Sequence, residues 1–330
     1  MKAAIVGIGG LTLTAPEAAV LREHPPAGIV LFARNVADPK QLDALMTDLR
    51  KILLPGAVLL VDQEGGRVAR LRPPHWRAHP PSQELGARFA DTPARALRAA
   101  WLTGALIGLD CAQAGFDVVA SPVLDVTEAG THAVIGDRAF SSDPDVVARL
   151  GRAVAQGLLA AGMQPVAKHA PGHGRARVDS HHTLPHVHAE DVTRDILPFA
   201  LNADMPWAMT AHIVYTALDI DYPATQSAKI IEDVIRGQIG FNGVLVTDDL
   251  AMQALTGSPA ERVLAALDAG CDIALYCSGE LATTTALLAV CPQVSAATAA
   301  RLQAARSMAV RHRLTLDPVA LSAERDWLLG

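Results

Sequence analysis

A single (β/α)8 barrel of the TIM type is the fold this sequence predicts. Three observations predict it. Short runs rich in Val and Ile alternate with longer helix-like segments, and eight such runs can be read. Several of them end on a polar residue, namely Asp62, His169, His212 and Asp248. Half of the 330 residues are hydrophobic but only 4% are aromatic, so Ala, Val, Ile and Leu must fill the interior. Branched aliphatic residues are what the layers inside a barrel use, and polar strand ends are where barrels place chemistry. A doubly wound open sheet would require polar strand ends only at its switch point.

The predicted strands cover residues 3–8, 28–32, 58–62, 117–121, 164–169, 207–212, 243–248 and 272–277. A helix over 39–52 is marked by Asp38 as N-cap and Pro39 at the first helical position, and 144–161 repeats the device with Asp143 and Pro144. Further helices are expected over 94–114, 189–203, 227–237 and 260–269. Strand and helix in alternation give a parallel sheet with right-handed crossovers. The Pro-rich stretch 72–81 reads as a barrel loop, not as a linker. The chain, 1–330, is expected to form one barrel domain, with a helical extension packed outside it from about residue 293.

The net charge of −6 comes with no block of Lys or Arg, which argues against nucleic-acid binding. The first residues carry no signal-peptide pattern, and no apolar stretch is long enough to span a bilayer. Cys111, Cys271, Cys277 and Cys291 form no CxxC pair and read as reduced thiols, mostly buried. A cytoplasmic protein with no membrane association and no obligate protein partner is the expectation.

Three segments carry the chemistry. The first runs from Lys168 to His181 and reads KHAPGHGRARVDSH. Gly172 and Gly174 give its backbone access to conformations closed to other residues. Lys168 and His169 stand at a strand end as donors to a polar ligand. Asp179 lies two residues before His181, and a carboxylate beside an imidazole fixes its tautomer and raises its basicity. The second segment is Asp248-Asp249 at the end of a buried strand, a costly place for carboxylates unless they are paired or functional. One of the two is a nucleophile candidate, and Asp249 reads more simply as the cap of a following helix. The third is Asp62-Gln63-Glu64-Gly65-Gly66, where Asp62 can accept from two sugar hydroxyls.

Together these segments resemble glycoside hydrolase family 3, and within it the β-N-acetylhexosaminidase branch. The motif KH-x-PGHG-x4-D-S-H is the specific feature, with Ala170 where the motif more often has a bulky apolar residue. Residues 28–35 and 135–140 also look like that branch. The resemblance implies a retaining, two-step mechanism without a cofactor or metal. It implies Asp248 as nucleophile, His181 as general acid/base paired with Asp179, and Asp62, Arg70, Arg138, Lys168 and His169 as sugar-binding residues. It further implies removal of a non-reducing N-acetylglucosamine from 1,6-anhydro-N-acetylmuramic acid, with or without a peptide, in peptidoglycan recycling.

Two other chemistries stay open on the same residues. Six histidines, at 169, 173, 181, 182, 186 and 188, raise a metal-dependent hydrolase, although Pro171 and the glycines argue against the helix that would give His169 and His173 a ligand spacing. A phosphorylase passing the sugar to phosphate, or a sugar-binding protein without catalysis, would also keep the sugar site.

Overall fold

The computed structural model describes residues 1–180 and 183–330. Eight parallel strands close into a barrel. They are β1 (Lys2–Gly7), β2 (Pro26–Leu31), β3 (Val58–Val61), β4 (Val118–Val119), β5 (Gln164–Ala170), β7 (Trp207–Thr210), β9 (Val244–Asp249) and β10 (Ile273–Tyr276). Each pairs with the barrel strand before and after it in the chain, and β10 returns to β1 with Ile5 opposite Leu275. Two strands of two residues each, β6 (His186–Val187) and β8 (Val214–Tyr215), pair separately above the barrel segments they follow.

The chain alternates these strands with helices because local signals stop and start them. α1 (Ala15–Glu23) opens with a capping box, in which Thr14 Oγ1 accepts from the Glu17 amide and the Glu17 carboxylate takes the Thr14 amide at 2.8 Å. α2 (Pro39–Ile52) begins as predicted at Pro39, with Asp38 accepting from the Gln41 amide. α3 (Ser82–Ala87) and α4 (Pro93–Gln113) follow β3. α5 (Pro144–Ala160) is capped by Asp143. α6 (Thr193–Ala200) is shorter than the predicted 189–203, and 227–237 is replaced by a π-helical segment, Ile230–Gln238. α7 (Pro259–Asp268) and α8 (Leu281–Val290) complete the ring. α9 (Ala296–His312) and α10 (Pro318–Leu329) come after the last strand.

Side chains alternate between two buried layers. Ile5, Val30, Leu60, Val166, Val246 and Ile273 fill the barrel interior, while their neighbours along the strands meet the helices. Leu302 and Ala305 of α9 join the interior set. Arg301 of α9 pairs with Asp272 at the start of β10, and Arg306 donates to the Gly56 carbonyl just before β3. α9 therefore stoppers the amino-terminal end of the barrel. The carboxyl-terminal end stays open, and every predicted polar strand end lies there.

All four cysteines are buried and free. Among the described residues no helix is long and apolar enough to cross a membrane.

Candidate active site

A cavity of about 280 Å3 opens at the carboxyl-terminal ends of the strands. Asp62, Arg70, Arg138, Lys168, His169 and Asp248 all line it, although they come from four separated parts of the chain. Asp62 follows β3 directly, Lys168 and His169 are the last inward positions of β5, and Asp248 is the next-to-last residue of β9. Arg70 comes from the loop after β3, and Arg138 closes the short turn Gly136–Arg138. Phe32, Met209, Met252 and Leu275 supply an apolar part of the wall.

Opposite charges alternate around one side of this cavity. Arg70 reaches Asp62 at 3.2 Å, and Lys168 Nζ lies 2.9 Å from the other oxygen of Asp62. The same Lys168 Nζ lies 2.6 Å from Glu64 Oε1. Glu64 then takes a bidentate pair from Arg138, at 2.8 and 2.9 Å. Burial by itself would raise the Asp62 carboxyl. The neighbouring Lys168 and Arg70 outweigh it and hold Asp62 ionised well below the usual carboxylate range. Glu64 is lowered in the same way, against burial, by Arg138 and Lys168. The result is a row of acceptors and donors fixed in place, suited to the paired hydroxyls of a sugar.

Sequence reasoning passed over Glu64. It is 3% exposed at the side chain and never stands out beside Asp62 in the sequence, because both its partners lie in distant segments.

His169 continues the row. Its Nδ1 lies 2.7 Å from Asp125 Oδ2, and Arg138 stands 3.5 Å from its Nε2. The carboxylate accepts a hydrogen bond from Nδ1–H, so Nε2 is turned to the guanidinium and the cavity. Asp125 is fully buried in the loop after β4 and was likewise missed. Its Oδ1 also accepts the backbone amides of His169 and His173, at 3.1 and 2.7 Å. Burial acts to raise Asp125, and the histidines and these amides overcome it, taking the carboxyl down to about 2.

The loop after β5 folds tightly, but its two glycines serve different needs. Gly172 has φ +138°, as the sequence suggests. Gly174 has an ordinary φ; a Cβ there would meet the Val126 carbonyl oxygen at 1.8 Å, so close approach to the β4 loop is what requires it. His173 is buried and held neutral, its imidazole pushed down to about 4 by burial against the opposing pull of Asp125. Its Nε2 lies 2.9 Å from Ser180 Oγ, which also lines the cavity. Asp179, next in line, is half-buried. His181 and His182 lie outside the described residues.

Asp248 carries the β9 contribution. Its Oδ1 accepts from the Asp249 amide at 2.8 Å, and no described residue hydrogen-bonds its Oδ2. Burial raises this carboxyl, but His169, His212, the Asp249 amide and Lys168 together lower it, so the group is an anion facing the cavity. Asp249 behaves otherwise. It does not cap a helix, since α7 starts ten residues later with Ser258 as its cap. Its Oδ1 instead accepts from the Ala251 and Cys277 amides, both at 2.9 Å, and burial raises its carboxyl. His212, unassigned from sequence, is fully buried behind the pair. Its Nε2 donates to the Asp249 carbonyl at 3.0 Å, while Nδ1 lies 2.8 Å from Thr225 Oγ1.

His169 and His173 meet edge to face at 5.6 Å. Among the described residues no three His, Cys, Asp or Glu side chains form a group that could hold a metal ion.

Comparison with known proteins gives one coherent result. Residues 6–311 match the glycosyl hydrolase family 3 N-terminal domain. A protein of Bordetella pertussis named beta-hexosaminidase is 40% identical over 286 residues, covering 84% of this chain and 80% of that protein. One of the same name from Aromatoleum aromaticum is 36% identical over 99% of this chain and 94% of its own length. In three dimensions the chain is similar to the crystal structure of NagZ from Neisseria gonorrhoeae in complex with N-trifluoroacetyl-D-glucosamine. The TM-score is 0.89 at 31% identity, covering 100% of this chain and 98% of that one.

Proposed function

The chain belongs to glycoside hydrolase family 3, and from that premise we propose that it is a retaining exo-β-N-acetylglucosaminidase. Its substrate is N-acetylglucosamine β-linked to 1,6-anhydro-N-acetylmuramic acid, with or without a peptide, and its setting is cytoplasmic peptidoglycan recycling. The observation that carries the reading is Asp248, an ionised carboxylate on the cavity wall beside a fixed row of sugar-binding charges. The relatives named above as hexosaminidases, and the aminosugar in the similar crystal structure, support the choice of sugar. The whole chain, 1–330, acts as one barrel domain.

In the first step an Asp248 oxygen bonds to the anomeric carbon, and the bond from that carbon to the leaving oxygen breaks. His181, paired with Asp179, gives that oxygen its proton. In the second step a water gives a proton to His181 and its oxygen displaces Asp248, restoring the starting configuration. Asp62, Arg70, Arg138, Lys168 and His169 hold the sugar. Asp62 accepts from its hydroxyls, and the three cations donate to it. Asp62 and Glu64 offset two of these three positive charges and the Asp248 carboxylate offsets the third, which favours a neutral water over a phosphate dianion as acceptor.

The test is hydrolysis of a chromogenic β-N-acetylglucosaminide by the native chain and by Asp248→Ala, with EDTA present. Turnover by the native chain alone supports the reading. Loss of native turnover in EDTA, restored by zinc, points to the metal hydrolase. A sugar phosphate formed on adding phosphate points to the phosphorylase. The anhydro disaccharide, assayed in parallel, tests the leaving group.

A further inference from the structure

The loop that carries Asp62, Glu64 and Arg70 folds back on itself, and its return leg, residues 78–81, does not line the cavity. Gly65 turns with φ +101°, and a Cβ on it would stand 2.3 Å from the Pro80 carbonyl oxygen and 3.4 Å from His79 Cβ. The Gly66 amide donates to the His79 carbonyl at 2.9 Å. The backbone at 79–80 is therefore the floor on which the sugar-binding turn rests, and the position of His79 fixes its height.

His79 is itself held by two helices. Its ring is 1% exposed, and Nε2 lies 3.0 Å from Asp110 Oδ2 on α4. On the other side Arg325, from α10, places NH1 3.2 Å from Nδ1. The same NH1 lies 3.5 Å from the Ala78 carbonyl. A guanidinium has no lone pair to offer, so Nδ1 is the acceptor and Nε2 carries the proton that Asp110 receives. A neutral ring satisfies every partner at once, and burial keeps it neutral by lowering its pKa against the pull of Asp110. Arg77, two residues earlier in the loop, pairs with the remaining oxygen of Asp110. Arg325 is 7% exposed although it is charged and lies one turn from the end of the last helix. Residues 318–329 lie beyond the stretch that matches the family model.

We infer that Arg325 is a positioning residue for sugar binding, acting through His79 to set the turn that carries Asp62 and Glu64. The inference deepens the proposed function and rests on its placing of the sugar at Asp62. Arg325 touches neither the cavity nor Asp248, so it bears on how well the sugar is held and not on bond cleavage.

The test compares Arg325→Met, Arg325→Lys and Asp62→Asn with the native chain on a chromogenic β-N-acetylglucosaminide. Methionine keeps the length of the side chain and leaves His79 Nδ1 without its donor, and an orphaned buried acceptor carries an uncompensated desolvation cost. In Arg325→Met, KM should rise about tenfold while kcat stays within about twofold, corresponding to roughly 1.4 kcal/mol of that cost reaching the loop. Arg325→Lys, which restores an N–H donor, should recover most of the KM. A lower melting temperature with unchanged KM would make Arg325 merely structural and overturn the inference. So would an equal loss in both variants with KM unchanged. If Asp62→Asn leaves KM unchanged, it is the placing of the sugar that fails. If Asp62→Asn raises KM and Arg325→Met does not, only this inference fails.

Discussion

Lys168 Nζ sits 2.6 Å from Glu64 Oε1, and this pair ties the end of β5 to the loop after β3 inside the barrel mouth. Both side chains are almost fully buried. Their charges are tolerable there only because Asp62 and Arg138 close the row on either side.

Glu64→Gln removes one charge and offers an amide N–H group where Lys168 and Arg138 need an acceptor. Breaking a buried pair costs about 3–5 kcal/mol. The urea midpoint should fall by an amount matching the lower end of that range, and KM should rise with it. An unchanged midpoint would show that the row does not need Glu64.

Asp125 decides the tautomer of His169. Asp125→Asn keeps one acceptor for the His169 and His173 amides but turns the other oxygen into a donor facing Nδ1. The His169 proton should then move to Nε2, where it confronts Arg138. Nitrogen-15 NMR of labelled histidine reads the tautomer directly, and turnover should fall alongside the change. An Nδ1 proton persisting in the variant would refute the assignment.

His212→Phe preserves ring volume and removes the donor to the Asp249 carbonyl. The Asp249 amide is what holds Asp248 Oδ1, so the proposed nucleophile should lose alignment. Misplacement of a reacting group by about 1 Å costs on the order of 10²-fold in rate. Mass spectrometry of the glycosyl-enzyme trapped with a fluorinated donor should show slower labelling of Asp248, with little change in KM. Labelling at the native rate would leave His212 a packing residue.

Acid should destabilise the fold before it titrates Asp248. His79, His173 and His212 are all lowered by burial, His173 to about 4 from a reference value of 6.5. An unfolded chain takes up these protons as pH falls through 6.5, whereas the folded chain resists, at His173 until near 4. Stability is thus full above 6.5 and is lost progressively as pH drops from 6.5 toward 4. Asp248, lowered in the fold, stays ionised over that whole window. Urea titrations at several pH values should show the decline, and His173→Gln should flatten it. A midpoint independent of pH between 4 and 6.5 would contradict the burial of neutral rings.

The sequence located the barrel strands well because residues such as Ile29, Leu60 and Val246 are buried on both faces and so form unbroken branched runs. It overran β7, reading 207–212 where the strand stops at Thr210, because Ala211 and Ile213 continue the apolar run while His212 turns behind Asp249. It missed α8, whose run of Ala, Thr and Leu shows no one-sided pattern, and it missed β6 and β8, too short to show any period. In the site, residues inside a local motif stood out in the sequence, and Lys168, His169 and Asp248 line one cavity. Glu64, Asp125 and His212 were not given roles. Their partners come from other strands, and one sequence holds no record of which loops meet.

The alternation of charge from Arg70 through Asp62, Lys168 and Glu64 to Arg138 has a consequence for how such a protein can change over generations. Each member is neutralised by its neighbours, so a lone replacement leaves an uncompensated ion in a sparsely hydrated place. Drift at any one of these positions is blocked unless a neighbour changes with it. The expectation is that this row passes on as a block or is lost as one.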